Sequence, residues 1–131
     1  MASFDKRMKR RGLQVVTGSN RGKQLAAAAI SQTVILATPV DTGQARGNWF
    51  ASLGRPVTSA SSATSKTGAS RIGGNAGVIA GALPEVDIYI SNNVRHIGPL
   101  NNGSSAQAPA GFIQQAVIAG QRSVRKMKVF K

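Results

Sequence analysis

The sequence predicts an α+β fold from the order of its helical and strand patterns. An alanine-rich helical pattern covers about residues 21–37, and an alternating strand pattern follows it at 48–54. A second alternating segment lies at 85–91, and an amphipathic helical pattern occupies 108–127. A long loop separates the two strand segments. The order helix, strand, loop, strand, helix is typical of the α+β class.

The length of the chain, residues 1–131, is that of a single domain. Six aromatic residues and many alanines leave a modest apolar area for burial, as in subunits that borrow stability from neighbours. The absence of cysteine excludes disulfides and thiolate metal sites. We divide the chain into a basic N-terminal segment (1–19), a helix–turn–strand unit (20–54), a loop or arm rich in Gly, Ser and Ala (55–82), and a unit of strand, turns and C-terminal helix with a basic tail (83–131).

The N-terminal residues predict a short helix. Ser3 is suited to cap it, Asp5 lies in its first turn where the helix dipole favours an acid, and Phe4 and Met8 share one face. Gly12 ends or interrupts this helix.

The segment KQLAAAAISQTVILA carries the strongest helical pattern of the chain. It is rich in alanine, and Ile30, Val34 and Ala37 line one side. Pro39 ends the helix, because Thr38 before a proline is disfavoured in the α region.

A tight turn, PVDTG, follows the long helix. The Asp41 carboxylate is expected to accept hydrogen bonds from backbone amides two residues on, and Gly43 takes a positive φ at little cost. We interpret Pro39, Asp41, Thr42 and Gly43 as a structural hinge that fixes how the helix lies across the sheet.

Two segments alternate in the manner of half-buried strands. In NWFASLG, Trp49, Ala51 and Leu53 share one side. In EVDIYIS, Val86, Ile88 and Ile90 share one side. Both segments are therefore predicted to place one face against a core.

Residues 57–71, VTSASSATSKTGASR, contain 12 Ser, Thr, Ala or Gly in 15 positions. This composition buries too little apolar surface to offset its ordering entropy, which predicts a long flexible loop or arm. The following GGNAGVIAGAL is expected to form one or two weak helical turns, because Gly74, Gly77 and Gly81 disfavour a helix. No lysine followed by Ser or Thr comes after these glycines and no predicted strand precedes them, so they do not indicate a phosphate loop.

The segment APAGFIQQAVIAGQRSVRKM predicts an amphipathic C-terminal helix, which follows the turn-rich NNVRHIGPLNNGSS. Pro109 suits the first helical position, and basic residues enrich the other end, as the helix dipole prefers. The predicted buried face consists of Ile113, Ala116, Val117, Gly120 and Val124.

Basic charge is concentrated at the two ends of the chain. There are 17 Lys and Arg against four acids, a net charge of +13, and residues 1–25 hold seven of these bases and residues 122–131 five. Such ends engage phosphate or acidic protein surfaces, or else are solvated helix faces that keep a subunit soluble before assembly. The candidate contacts with DNA or a partner are Lys6, Arg7, Lys9, Arg10, Arg11, Arg46, Arg122, Arg125, Lys126 and Lys128.

Groups suited to catalysis are few. Glu85 and Asp87 share a strand face, which we interpret as an exposed edge, and His96 has no second histidine with which to bind a metal. Asp41, His96 and a serine do not form a recognisable triad pattern. We therefore predict no enzyme, no cofactor and no metal; a hydrolase would lose activity when Asp41 or His96 is changed. No segment reaches the roughly 20 apolar residues of a membrane span, so no membrane partner is expected.

Three segments resemble the tail-completion or neck proteins of tailed bacteriophages, which are minor structural proteins of the head–tail junction. They are LATPVDTGQARGNWFASLG (36–54), DIYISNNVRHIGPLNNGSS (87–105) and QAPAGFIQQAV (107–117), in a resemblance that spans about residues 20–125. The resemblance implies an α+β fold with a small mixed or antiparallel sheet packed against helices. It also implies assembly into a ring, commonly hexameric, around the DNA passage.

The implied partners are copies of the chain itself, the head connector or adaptor protein, the tail-tube protein and the genomic DNA, in a virion assembled in the host cytoplasm. Relatives carry an acid near the position of Asn101 and a tyrosine where His96 stands, so no role of those side chains carries over. We expect the 55–82 segment and the strand ending at Ser91 to contact neighbouring subunits. The candidate interface residues are Trp49, Lys66, Arg71, Tyr89, Asn92 and Asn93.

The expected function is completion of the tail or its joining to the head connector. The alternative is a small basic protein that binds nucleic acid through its cationic termini. A ring protein predicts closed oligomers with weak DNA affinity, whereas a nucleic-acid-binding protein predicts a monomer or dimer whose affinity falls as salt rises.

Overall fold

Three strands and four helices form the part of the chain that the computed structural model describes. That part comprises residues 13–16, 20–38, 43–95, 97 and 111–129, with side chains described except at 13, 14, 112 and 123–129. Its elements support the predicted α+β class. They are β1 (Leu13–Val16), α1 (Asn20–Ala37), α2 (Gln44–Gly47), β2 (Phe50–Leu53), α3 (Ala69–Ala80), β3 (Ile88–Ser91) and α4 (Phe112–Val129).

The strands form one antiparallel sheet in the order β1–β3–β2. At one end of the central strand, Ile88 pairs with Val16 of β1 and with Leu53 of β2. Both neighbours of β3 are thus antiparallel, which agrees with the small antiparallel sheet that was one of the two expected kinds.

Strand β1 was not predicted from the sequence. Its signal was the β-branched pair Val15 and Val16, bounded by Gly12 and the turn residues 17–20. The adjacent Val15 and Val16 break the alternation of apolar and polar residues, so the strand is defined by its pairing with β3.

One face of the sheet packs against α1. Ile88 and Ile90 are fully buried, and Ala51 and Trp49 on the neighbouring strand segment are buried with them. The predicted strand faces are therefore confirmed at Trp49, Ala51, Ile88 and Ile90, whereas Val86 precedes β3 and is half-buried. The core that they share with the helices includes Val16, Ala27, Ile30, Val34, Ile35, Ala45, Ile79, Ala82, Ile97, Ile113 and Ala116.

Residues 55–57 cross the other face of the sheet. Ser52 donates from Oγ to the carbonyl oxygen of Arg55 at 2.7 Å, and Ser91 donates from Oγ to that of Val57 at 3.4 Å. Because these two serines lie on the face opposite Ile88 and Ile90, the segment returns over that face from one end of the sheet to the other.

Helix α3 occupies residues 69–80, where the sequence analysis expected a loop or arm with one or two weak turns. The glycines of this segment do lower helix propensity. Tertiary contacts outweigh that cost, because Ile79 is buried in the core, Ile72 packs against it and Asn75 bonds to both α1 and β2. Residues 55–68 have no helix or strand.

Helix α4 begins at Phe112, after Gly111 with φ 77°. Pro109, the predicted first helical position, lies outside the described residues. Its predicted buried face is confirmed at Ile113, Ala116 and Gly120. The helix lies antiparallel to α1, because later residues of α4 meet earlier residues of α1.

Two contacts fix the α1–α4 packing. Thr33 donates from Oγ1 to the carbonyl oxygen of Ala116 at 2.9 Å. A Cβ atom on Gly120 would lie 3.0 Å from the backbone nitrogen and Cα of Ile30. The helices therefore approach so closely that no side chain fits at position 120.

We expect Gly120→Val to lower the free energy of unfolding by about 2–3 kcal/mol, because the two helix backbones must separate. Urea denaturation followed by circular dichroism measures this change. Gly77→Val is the matched control, since a Cβ on Gly77 would meet nothing within 4 Å, and it should change stability by less than about 0.5 kcal/mol. Equal effects of the two substitutions would contradict the close approach.

Candidate functional site

Residues 36–38 and 43–54 form a crossing point where the end of α1, helix α2, the start of β2 and residues 61–66 meet. The Trp49 side chain lies at its centre and is 1% exposed. Its Nε1 donates to Thr38 Oγ1 at 2.8 Å, and Thr38 Oγ1 donates to the carbonyl oxygen of Val34 at 2.6 Å. The only tryptophan of the chain therefore attaches the start of β2 to the last turn of α1.

Arg46 binds the carbonyl oxygens at the C-terminus of α1. Its Nε and Nη2 donate to the oxygen of Thr38 at 3.1 and 2.9 Å, and Nη2 also donates to that of Leu36 at 3.1 Å. Its Nη1 donates to the oxygen of Lys66 at 2.7 Å. These carbonyl groups carry the negative end of the helix dipole, so a guanidinium is well suited to cap them. In the structure the half-buried Arg46 side chain binds carbonyl groups of the chain itself, and the contact with DNA or a partner stays a prediction.

Arg46→Lys is expected to destabilise the protein by about 1–2 kcal/mol, because an ammonium lacks the planar fork whose separate nitrogens reach the carbonyl oxygens of Leu36, Thr38 and Lys66. Thermal and urea denaturation measure this loss. Arg55→Lys, at an exposed position, is the control and should be neutral. A destabilisation equal to that of the control would contradict the capping role.

Gly43 has the positive φ that the sequence analysis expected of the hinge, at 82°. Its carbonyl oxygen accepts from the backbone nitrogens of Gly47 and Ser65, both at 2.9 Å. A Cβ on Gly43 would lie 3.1 Å from the backbone nitrogen of Lys66. Glycine is thus required here by conformation and by space, whereas Pro39, Asp41 and Thr42 lie outside the described residues.

Asn48 attaches the long loop to the crossing point. Its Oδ1 accepts from the backbone nitrogen of Ser61 at 2.7 Å, and its Nδ2 donates to the carbonyl oxygens of Gln44, Ser61 and Ala63 at 2.9 to 3.2 Å. Sequence reasoning missed this role, because the alternating pattern only placed Asn48 on the face opposite Trp49.

Asn75 of α3 closes the outer edge of β2. Its Oδ1 accepts from the backbone nitrogen of Ala51 at 3.0 Å, and its Nδ2 donates to the carbonyl oxygen of Trp49 at 2.8 Å and to Ser31 Oγ at 3.0 Å. The first two bonds are those that a neighbouring strand would make, and β3 pairs with the opposite edge. The side chain is 2% exposed. No sequence signal identified it.

Two of the predicted interface residues are buried within the chain. Trp49 is described above, and Asn92, fully buried, donates from Nδ2 to the carbonyl oxygen of Ala45 at 2.7 Å. Neither side chain is available to a neighbouring subunit, which corrects that expectation. Asn93 is half-buried and donates to the carbonyl oxygen of Val57 at 2.7 Å.

The other predicted interface residues remain accessible to different extents. Arg71 donates from Nε to the carbonyl oxygen of Gly47 at 2.9 Å, and its guanidinium lies 3.9 Å from the centroid of the Phe50 ring. Partial burial lowers the pKa of Arg71 from its ordinary value. Lys66 is exposed, and Tyr89 is half-buried on the sheet face that residues 55–57 cross.

The cations of the described residues divide into two groups. Lys23, Arg46 and Arg71 donate to backbone carbonyl groups of the chain itself. The exposed group consists of Arg21, Arg55, Lys66, Arg95 and Arg122. Among the predicted DNA or partner contacts, Arg125, Lys126 and Lys128 lie on α4 without a described side chain, and Lys6, Arg7, Lys9, Arg10 and Arg11 lie outside the described residues.

The Leu83 turn, residues 81–86, is held on a buried lysine. Lys23 is 2% exposed, and its Nζ donates to the carbonyl oxygens of Leu83 at 2.8 Å, Pro84 at 3.2 Å and Val86. Gln24, next along α1, donates to the last carbonyl groups of α3 at 3.2 Å. The Leu83 side chain is nevertheless 62% exposed, the largest exposure among the large apolar side chains of the described residues.

Acidic residues do not form a catalytic or metal-binding cluster in the described ranges. No group of three or more His, Asp or Glu side chains lies together there. Glu85 is exposed and Asp87 half-buried, and both precede β3, which begins at Ile88. Asp41 and His96 fall outside the described residues, so the structure does not test their proximity.

Two further results bear on the candidate functions. Within the described residues, no helix combines the length and apolar character that crossing a membrane requires. Comparisons of the chain with protein-family models, with curated proteins and with solved structures found no match.

Proposed function

We propose that this chain is a structural protein of a tailed-bacteriophage virion, which completes the tail or joins it to the head connector. In this role, copies of the chain form a ring around the passage of the DNA. The resemblance of residues 36–54, 87–105 and 107–117 to tail-completion and neck proteins motivates the proposal. Gly43, Arg46 and Trp49 belong to the first of these segments, and each connects elements of the fold. A structural role for this segment is consistent with the proposal.

The observation that carries the proposal is the exposure of large apolar side chains on several elements. Leu36 on α1 is 49% exposed, Ile118 on α4 48% and Leu83 62%. These side chains are costly to leave in water, and a neighbouring subunit in a ring would cover some of them. The head connector or adaptor and the tail-tube protein are further proposed partners, and the genomic DNA is expected to pass through the channel.

The alternative is a small protein that binds nucleic acid through its cationic residues. The net charge of +13 and the exposed side chains Arg21, Arg55, Lys66, Arg95 and Arg122 favour it. A protein of this kind loses DNA affinity with a slope of about 0.9 in log affinity against log salt for each phosphate neutralised. A fluorescence titration with duplex DNA at several salt concentrations measures that slope.

Analysis of purified phage particles tests the leading proposal. We expect mass spectrometry to detect the chain in virions and antibody labelling to place it at the head–tail junction. A phage that lacks the gene should accumulate separate heads and tails. Absence of the chain from virions, together with tight and salt-dependent DNA binding by a monomer, would favour the alternative.

A further inference from the structure

The Leu83 turn exposes an apolar side chain on a backbone that hydrogen bonds hold in place. Lys23 fixes three carbonyl groups of the turn, and the backbone nitrogen of Val86 donates to the carbonyl oxygen of Leu83 at 3.1 Å. Ala82, one residue before Leu83, is buried in the core. An exposed side chain on a pre-ordered backbone loses little entropy when a partner binds it, which is a property of the anchor residues of interfaces.

The side chains that follow Leu83 are acidic at the surface, whereas the ammonium of Lys23 is buried against the carbonyl groups of the turn. Glu85 and Asp87 are the two carboxylates of the described residues, and both lie within four positions of Leu83. The chain as a whole carries a net charge of +13. An apolar and acidic projection on a cationic protein is complementary to other surfaces of that same protein, so a second copy is a suitable partner.

The outer face of α4 offers the complementary pair of side chains. Ile118 is 48% exposed, and Arg122, one helical turn later, is exposed beside it. On the Leu83 turn, Glu85 follows Leu83 by two residues. The turn and the outer face of α4 therefore each combine one exposed apolar side chain with one exposed charge. Leu36 on α1 is also exposed.

The two surfaces belong to different elements of the subunit. The Leu83 turn follows α3 and is held by Lys23, whereas Ile118 and Arg122 lie on α4, to which Thr33 bonds. Two different surfaces are what a head-to-tail contact requires, and such contacts generate a ring where the rotation between subunits closes.

We infer that the Leu83 turn of one subunit docks on the outer face of α4 of the next copy. In this contact Leu83 packs against Ile118 of the neighbour, and Glu85 pairs with Arg122 of the neighbour. The inference rests on the proposed function, since it names the subunit contact by which the ring closes.

Sedimentation velocity and native mass spectrometry of the purified full chain test the contact. Leu83→Ser and Ile118→Ser should each weaken self-association by at least about tenfold, as for anchor residues. Glu85→Arg and Arg122→Glu should each weaken it as well. The double variant Glu85→Arg/Arg122→Glu should regain association, because the charges are exchanged across the contact.

Two matched controls separate the contact from general effects. Leu36→Ser removes an equally exposed apolar side chain, and Arg95→Glu reverses an exposed cation elsewhere, so both should leave association unchanged. Thermal unfolding of every variant shows whether the subunit is still folded. Recovery in the double variant depends on pairing between the two sites, which a folding defect in either single variant does not produce.

The outcomes distinguish this contact from the proposed function. If the wild-type chain forms rings and the Leu83 and Ile118 variants do so equally well, the contact is wrong, while the ring proposal stands. A wild-type chain that remains monomeric at high concentration, or association lost only in Leu36→Ser, also overturns the contact. The presence of the chain in virions decides the proposed function independently of these results.

Discussion

Asn75→Leu is expected to lower the free energy of unfolding by about 3–5 kcal/mol, one of the largest effects of any single substitution in the described residues. The substitution leaves the backbone nitrogen of Ala51, the carbonyl oxygen of Trp49 and Ser31 Oγ without their partner in the core. Each buried polar group left unpaired costs about 1–3 kcal/mol. Urea denaturation, monitored by the fluorescence of Trp49, measures the loss.

Two further variants test the cause of this loss. Ser31→Ala removes one of the three partners of Asn75 and should cost about 1 kcal/mol. Gln32→Leu replaces an exposed polar side chain at the next position of the same helix and should change stability by less than about 0.5 kcal/mol. A loss in Asn75→Leu no larger than that in Gln32→Leu would show that Asn75 does not pair with the edge of β2.

The position of Asn75 also has a consequence for assembly. Its side chain occupies hydrogen-bonding groups that an edge strand otherwise offers to another chain. Addition of a strand from a neighbouring subunit is therefore blocked at Ala51, on the outer edge of β2. Contact through the side chains of turns and helices, as inferred for Leu83 and Ile118, does not need that edge.

The elements that the sequence predicted are those defined by local periodicity. Helix α1 has a long alanine-rich pattern with an apolar side, and β3 alternates Ile88 and Ile90 with polar neighbours, so each could be read without knowledge of its partners. Strand β1 was missed because its adjacent Val15 and Val16 break the alternation of apolar and polar residues. Helix α3 was underestimated because its stability comes from Ile79 and Asn75, whose contacts lie on other elements.

The roles of individual polar side chains were harder to predict for the same reason. The sequence assigned Arg46 to a partner because it is basic and follows a turn, yet its partners are carbonyl groups on α1 and at Lys66. Asn48 and Asn92 likewise bind backbone groups that are distant in sequence. Such roles depend on which backbone groups the fold leaves without a partner, and composition does not record this.

The hydrogen bonds between residues 61–66 and the rest of the subunit determine what deletion of the loop would do. Residues 61–66 bond to Asn48, Gly43 and Arg46, and the helix that follows begins at residue 69. Deletion of residues 58–70 would therefore remove structural contacts of the subunit and the first turn of α3. Any loss of assembly in such a deletion reports on folding, so point substitutions on exposed side chains are the better test of subunit contacts.

Lys23→Met should have the second large effect and lower the free energy of unfolding by about 2–4 kcal/mol. Methionine retains most of the apolar stem of the lysine, but the carbonyl oxygens of Leu83, Pro84 and Val86 lose their common donor. The substitution also removes one positive charge. Arg21→Met is the matched control, since it removes one charge at an exposed position two residues earlier and should change stability by less than about 0.5 kcal/mol.

The same pair of variants connects stability to assembly. Because Lys23 holds the Leu83 turn, its replacement should increase amide hydrogen exchange in residues 82–87 and weaken self-association, even under conditions where the subunit remains folded. Arg21→Met should leave both measurements unchanged. If Lys23→Met loosens the turn and self-association is unaffected, a pre-ordered turn is not what the neighbouring subunit recognises. If the amides of the turn stay protected from hydrogen exchange in Lys23→Met, the three hydrogen bonds from Lys23 are not what orders the turn.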